Sequence, residues 1–269
     1  MAVLHAQHPD VEDFIQAKAN LPALPPGQMD DGHPFRQFNF SVAVPDALVQ
    51  AVENGEDWDL VHEAAPDPEA YPGAYPRGDG LWVYRQVSAQ RLWDAIMEAT
   101  YDVGEPGVLF IDRINAANNL WYAEKIRAVN PCAEQPLPDY GACDLGPMIL
   151  PSFVEDAFAD SAYFDWERFR AAIPDAVRFL DNVLDVSYWP LEKQRQEAMN
   201  KRRIGLGFTG LGDALIMLGL RYDSPEGVAM AEEIARVLRD EAYRASIELA
   251  KEKGAFPLFD AKKFLASEM

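Results

Sequence analysis

Three prolines fall within eight residues at Pro131, Pro136 and Pro138. Proline removes a backbone donor and clashes with a preceding helical turn, so this stretch can be neither a helix interior nor a central strand. It reads as an irregular extended loop whose side chains, not its backbone ladder, are its purpose. The segment Asn130-Pro131-Cys132-Ala133-Glu134 sets an amide, a thiol and a carboxylate at alternating positions, which extended backbone places on one face. Cys143 follows eleven residues after Cys132, in Tyr140-Gly-Ala-Cys-Asp-Leu-Gly, and these are the chain's two cysteines. A lone cysteine is ordinarily a small buried hydrophobe. Beside an amide and a carboxylate, it is also a set of groups able to hold a hydroxyl, react at sulfur and move a proton.

Elsewhere the chain alternates short apolar runs with helical periodicity. Met1 to Leu4 reads as a strand, and Asp10 is placed to cap a helix from Val11 to Lys18. His5 and His8 flank the intervening turn; with no third ligand nearby they are read as turn histidines, and no metal site is expected. Residues 20 to 37 read as loop, and Gln37 to Val44 as a strand with Phe38, Phe40 and Val42 on one face. Asp46 caps a helix to Asn54, and the acidic stretch from Glu56 to Gly80 reads as one long surface loop. Ser88 opens a helix through Tyr101 with Leu92, Ile96 and Ala99 on its stripe. Val108 to Ile111 is a short buried strand, Asp112 and Arg113 form an ion pair or part of a site at its end, and Asn115 to Asn119 is a polar turn.

Phe164 to Val186 is helical, with Pro174 forcing a kink or a break. Lys201 to Arg203 is a basic cluster, read as a solvated helix end or a phosphate contact. Gly205, Gly207 and Gly210 match the spacing of a dinucleotide-binding turn, yet a basic run and not a buried strand precedes them. Close packing of a strand on a helix is the better reading. Ser224 and Pro225 open a long helix that Gly254 stops after Lys253.

The active-site loop of the ribonucleotide reductase catalytic subunit resembles Asn130 to Pro138 and Tyr140 to Gly146, and the adenosylcobalamin-dependent branch is the most similar. Further similarity runs in order along the chain: His8-Pro-Asp-Val-Glu-Asp-Phe-Ile, Phe38-Asn-Phe-Ser-Val, Gly107-Val-Leu-Phe-Ile-Asp, Arg178 to Val186 and Arg203 to Asp213. The resemblance implies an α/β fold, part of that family's ten-stranded α/β barrel with a central active-site loop, with residues 1–269 as a partial catalytic barrel domain. It implies reduction of ribonucleoside di- or triphosphates to deoxyribonucleotides by thiyl-radical chemistry. By the same resemblance Cys132 carries the thiyl, Glu134 is the general base, Asn130 holds the ribose hydroxyls, and Asn130, Pro131, Cys132, Ala133 and Glu134 line the substrate. Cys143 matches one member of a redox-active cysteine pair whose other member lies outside this sequence.

Adenosylcobalamin is the implied cofactor, a thioredoxin-like dithiol the implied reductant, and flanking segments of the same enzyme the implied partners. The 269 residues are short for the family, so the chain by itself is expected to be inactive. The alternative is an inactive barrel fragment kept as a structural or binding module. Asp144 stands where the family commonly has asparagine, and Pro147-Met148-Ile149 replaces a more polar run. A net charge of −20 argues against a nucleic-acid polymer or anionic membrane as partner, and no apolar run approaches the ~18 residues of a membrane helix. A soluble cytoplasmic protein with reduced cysteines is expected.

Overall fold

The computed structural model describes residues 1–22, 24, 26–27 and 32–267; part of the expected loop 20–37 therefore lies outside the described residues. The chain divides into two compact units, one formed by Met1–Asp139 with the stretch from Lys262 onward, the other by Tyr140–Ala261.

The first unit is built on a parallel sheet. Strand β1 (Ala2–His5) pairs with β2 (Phe40–Val44), with helix α1 (Val11–Ala19) between them in sequence, and β2 pairs on its other side with a third strand. Five consecutive residues of β2 are buried because the strand is central and covered on both faces. Phe38, by contrast, lies outside the strand and is 47% exposed, so the expected alternation from Gln37 begins three residues late.

Helix α2 (Asp46–Asn54) follows. The acidic stretch after it is not one loop: β3 (Asp57–His62), β4 (Tyr75–Pro76) and β5 (Trp82–Ser88) form an antiparallel sheet in the order β3-β5-β4. Trp58, Leu60 and Val61 are buried, and the Trp58 indole donates to the carbonyl of Ala6 at 3.0 Å.

Helix α3 (Ala89–Val103) begins at Ser88, whose hydroxyl accepts from the Arg91 amide at 3.4 Å, and buries the predicted Leu92, Ile96 and Ala99. These pack with Val11, Ile15, Val42, Val44 and Leu48 in one apolar cluster. Strand β6 (Gly107–Phe110) completes the parallel sheet beside β2. A side chain at Gly107 would sit 2.9 Å from the Ser41 hydroxyl, so the close strand approach requires glycine.

Helix α4 (Ile111–Ala116) follows β6 directly and takes in Asn115, which the sequence pattern assigns to a turn. Asp112 accepts from the Asp46 amide at 2.9 Å, and Arg113 donates to the Asp46 carboxylate at 2.9 and 3.0 Å. Arg113 therefore pairs with Asp46 and not with its neighbour Asp112, and the orphan amide at the start of α2 is capped by Asp112, not by Asp46. Asp10 likewise makes no side-chain cap for α1; its own amide donates to His8 Nδ1 at 3.1 Å. His5 Nδ1 accepts from the Gln7 amide, which makes both histidines turn residues. The unit's last strands, β7 (Ala128–Val129) and β8 (Pro136–Leu137), form a short hairpin.

In the second unit β9 (Asp144–Ile149) pairs in parallel with β12 (Ile204–Thr209), and β10 (Val154–Glu155) pairs with β11 (Tyr163–Phe164). Helix α5 (Trp166–Val186) runs unbroken through Pro174, capped by the Asp165 carboxylate on the Arg168 amide. Helices α6 (Glu192–Lys201), α7 (Leu211–Met217) and α8 (Pro225–Lys253) complete it. As predicted, Ser224 caps α8, accepting from the Gly227 amide at 3.1 Å. Phe169, Ile173 and Val177 of α5 join Ile234 and Val237 of α8 in the core.

Gly210 has φ +76°, and a Cβ there would lie 2.6 Å from Pro151 Cδ, so it permits the tight passage from β12 into α7. A Cβ at Gly207 would meet nothing among the described residues, and that glycine shares no such constraint. The fold is mixed α/β as expected; among the described residues the strands fall in separate sheets and close no barrel. No helix of the described residues is long and apolar enough to cross a membrane.

Candidate active site

The proline-rich stretch forms the tip of the β7/β8 hairpin, in which Ala128 faces Leu137 and Val129 faces Pro136. Ile126 and Val129 are buried and root the stem. At the tip the Asn130 amide donates to the Gln135 carbonyl at 3.2 Å, and the Gln135 amide donates to Asn130 Oδ1 at 3.0 Å. The Ala133 amide donates to the Asn130 carbonyl at 3.0 Å, closing a four-residue turn with Pro131 in the position proline favours. Ala133 has φ +69°, a left-handed conformation that costs a non-glycine residue about 1–2 kcal/mol and that recurs at functional sites.

The backbone is therefore turned, not extended. Strand alternation does not align Asn130, Cys132 and Glu134. Pro131, Cys132, Ala133 and Glu134 are exposed and Asn130 is half-buried. Asn130 Oδ1 accepts from the Gln135 amide, and the donors of this side chain are those of its NH₂.

Cys143 belongs to the other unit and is half-buried just before β9, its thiol donating to the Asp144 carbonyl at 3.6 Å. Both cysteines are reduced. Alternation along β9 turns Asp144, Gly146 and Met148 to one side, where Gly146 abuts Leu180 of α5. Both carboxylate oxygens of Asp144 are buried without a hydrogen-bond partner among the described residues. Burial raises its carboxyl above the ordinary value; its own backbone amide partly offsets this, and the negative charge of Asp181 adds to the rise. Asp144 is the local disturbance that the departure from asparagine foreshadowed.

The basic cluster serves α5. Arg202 donates to Asp181 Oδ1 and Asp185 Oδ1, each at 2.8 Å, and Lys253 reaches Asp181, Asn182 and Asp185 from α8. Lys201 is buried and ion-paired to Glu197. Lys201 and Arg202 are thus not a solvated helix end: Arg202 ties the end of α6 to α5, and Lys253 ties α8 to the same carboxylates. Burial pushes Asp181 up, but the hydrogen bonds from Arg202 and Lys253 outweigh it and hold the carboxyl below its ordinary range.

Asp144 yields a stability prediction with a definite sign. Its folded pKa lies above the unfolded one, so its contribution is most favourable below the unfolded value near about 3.9 and is lost as pH rises through the folded value. Asp144→Asn should stabilise the second unit at pH 8, because it removes the charge that burial opposes. Urea denaturation should find a smaller difference at pH 5. Equal stability of the two proteins at pH 8 would mean that Asp144 carries no such cost.

A turn-pinned hairpin that presents a reduced cysteine, on an α/β body with parallel strands, defines a thiol-bearing α/β protein. The chain belongs to the ribonucleotide reductase barrel-domain family, whose model (Ribonucleotide reductase, barrel domain) matches residues 1–269. It is 39% identical over 267 residues to the vitamin B12-dependent ribonucleoside-diphosphate reductase of Mycobacterium tuberculosis (strain CDC 1551 / Oshkosh), covering 99% of this chain and 34% of that protein. The protein of the same name from Thermoplasma acidophilum is 32% identical over 257 residues, covering 96% of this chain and 30% of that protein. The ribonucleoside-diphosphate reductase large subunit of Arabidopsis thaliana is 28% identical over 286 residues, covering 95% and 34%. The chain spans about a third of the length of the curated relatives it matches.

Two participants were missed in the sequence. Gln135 acts through backbone groups that any residue carries, so it left no signal. Asn115 bonds a residue eleven positions away; the polar turn from Asn115 was legible, but nothing local names Ile126 as its partner.

Proposed function

We propose that this chain supplies the substrate-activating part of a ribonucleoside diphosphate reductase, as a segment of a catalytic subunit. The observation that carries the reading is the exposed Cys132 on a hairpin tip pinned by Asn130 and Gln135, within a chain matched to the family from end to end. Relatives named as vitamin B12-dependent support adenosylcobalamin as the cofactor. When bound, it supplies the radical that takes the hydrogen from a thiol. Cys132 fits that demand, being a reduced and exposed thiol on a tip that an external radical source can reach.

The residues then divide the work. The Cys132 thiyl takes the 3′ hydrogen atom of the ribose, leaving a carbon radical, while Glu134 accepts the 3′-hydroxyl proton. The Asn130 NH₂ donates to a ribose hydroxyl and holds the carbon against the sulfur. The 2′-hydroxyl takes a proton from the reducing pair and leaves as water. Cys143 and a second cysteine supply two electrons and two protons in all and close to a disulfide. Cys132 returns the 3′ hydrogen, which regenerates the thiyl, and Glu134 returns its proton to the 3′ oxygen. Ribonucleotide and dithiol thus become deoxyribonucleotide, disulfide and water, and a thioredoxin-like dithiol reopens the pair by exchange.

The test is to express the reductase polypeptide that carries these residues and assay it with ribonucleoside diphosphates, dithiothreitol and adenosylcobalamin. Deoxyribonucleoside diphosphate is the expected product, and Glu134→Gln should lower kcat by about 10²-fold, the loss expected for a general base. No product from the parent protein under any radical source would leave the structural-module reading in its place.

A further inference from the structure

We infer that Asn115 is a positioning residue for the Cys132 loop, coupling the hairpin to the parallel sheet through α4. The hairpin has only two residue pairs in its stem, too few to hold a tip steady alone. Its support comes from one residue further back. The Ile126 amide donates to Asn115 Oδ1 at 2.8 Å, and Asn115 Nδ2 donates to the Ile126 carbonyl at 3.0 Å. The same nitrogen donates to the Ile111 carbonyl at 2.9 Å. One side chain therefore satisfies both backbone groups of Ile126 and fastens them to the first turn of α4.

That turn is itself fixed. Helix α4 starts directly after β6, which pairs with the central strand β2, and Ile111, Ile126 and Ala43 of β2 share one apolar cluster. Position is thus handed from sheet to α4, from Asn115 to Ile126, and from Ile126 into β7 and the tip. The two holds on Ile126 do different things. Its buried side chain anchors the segment in the core, while the amide pair fixes the direction in which the backbone leaves it. Losing Asn115 should therefore cost little stability and much precision at Cys132, where a shift of about 1 Å can cost on the order of a hundredfold in rate.

This inference rests on the reductase reading only in that the loop being positioned is the one assigned the thiyl chemistry. The experiment compares Asn115→Ala and Asn115→Asp with the parent in the reductase polypeptide that carries these residues, by hydrogen exchange and by steady-state kinetics. Asp keeps the acceptor for the Ile126 amide and loses both donors. Amides of Ile126, Asn130 and Gln135 should exchange on the order of tenfold faster in the Ala variant, with α3 and the β1-β2-β6 sheet unchanged. Asn115→Asp should exchange at least as fast, because a carboxylate oxygen then faces the Ile111 and Ile126 carbonyls. In both variants kcat per folded molecule, with the folded fraction fixed by the parent-like exchange of α3 and the β1-β2-β6 sheet, should drop at least about tenfold, with KM within about twofold of the parent.

Should the Ala variant fail to fold, Asn115→Asp alone decides on the same readouts. Unchanged exchange at Ile126, Asn130 and Gln135 in the decisive variant overturns the inference, and so does unchanged kcat. A parent protein without reductase activity would defeat the functional reading, and the exchange pattern would still judge the clamp.

Discussion

Cys132→Ser should remove deoxyribonucleotide formation, with turnover falling on the order of 10⁴-fold or more, while nucleotide binding stays close to that of the parent. The substitution keeps the size and polarity of the side chain and changes one property that matters: an O–H bond is far stronger than an S–H bond. Making an oxygen radical at this position is correspondingly uphill, and each 1.36 kcal/mol added to the barrier costs tenfold in rate. The side chain is exposed on a turn held by backbone groups of Asn130 and Ala133 and by the Asn130 side chain, none of which a serine hydroxyl in place of the thiol would disturb. Loss of activity without loss of structure is therefore the expected signature. Equilibrium binding of substrate and thermal unfolding measured beside the activity assay check both halves; sustained turnover by the serine protein would refute the thiyl assignment.

Cys143→Ser should fail differently. The Cys132 chemistry remains, so the 3′ hydrogen is still removed, but no complete dithiol is left to deliver electrons. Product should stop at or below a single equivalent per site, and added thioredoxin or dithiothreitol should not restore turnover. A rapid-quench assay that follows cleavage of the 3′ carbon–hydrogen bond, run beside the multiple-turnover assay, separates the two variants: Cys132→Ser silences both, and Cys143→Ser silences only product formation. Normal multiple turnover by Cys143→Ser would remove it from the reducing pair.

How far the sequence reaches depends on whether the deciding interaction is local. Helix α3 was legible because Ser88 caps it and Leu92, Ile96 and Ala99 fall on one stripe; α8 was legible because Ser224, Pro225 and Gly254 mark both ends. The β3/β5 pair was not. Asp57 and Asp59 gave the stretch an acidic, loop-like composition, and a register shift between Leu60 and Val61 buries two neighbours in succession, which breaks the alternation that betrays a strand. At the site, the presence of a loop between short extended segments was legible, while its shape was not. Pro131 suits extended backbone and the second position of a turn equally well, and hydrogen bonds from Ala133 and Gln135 to Asn130 decided for the turn. The roles of Asn115 and Arg202 were out of reach, since each depends on partners that only the fold brings near.

The central claim is that sulfur at position 132 takes the hydrogen from the 3′ carbon. It is tested most directly by supplying ribonucleoside diphosphate labelled with deuterium at C3′ to the reductase polypeptide that carries these residues. A primary isotope effect on deoxyribonucleotide formation in the parent, with no cleavage of the 3′ bond in Cys132→Ser, is the predicted result. Turnover insensitive to the 3′ label, or 3′ bond cleavage persisting in Cys132→Ser, would contradict it.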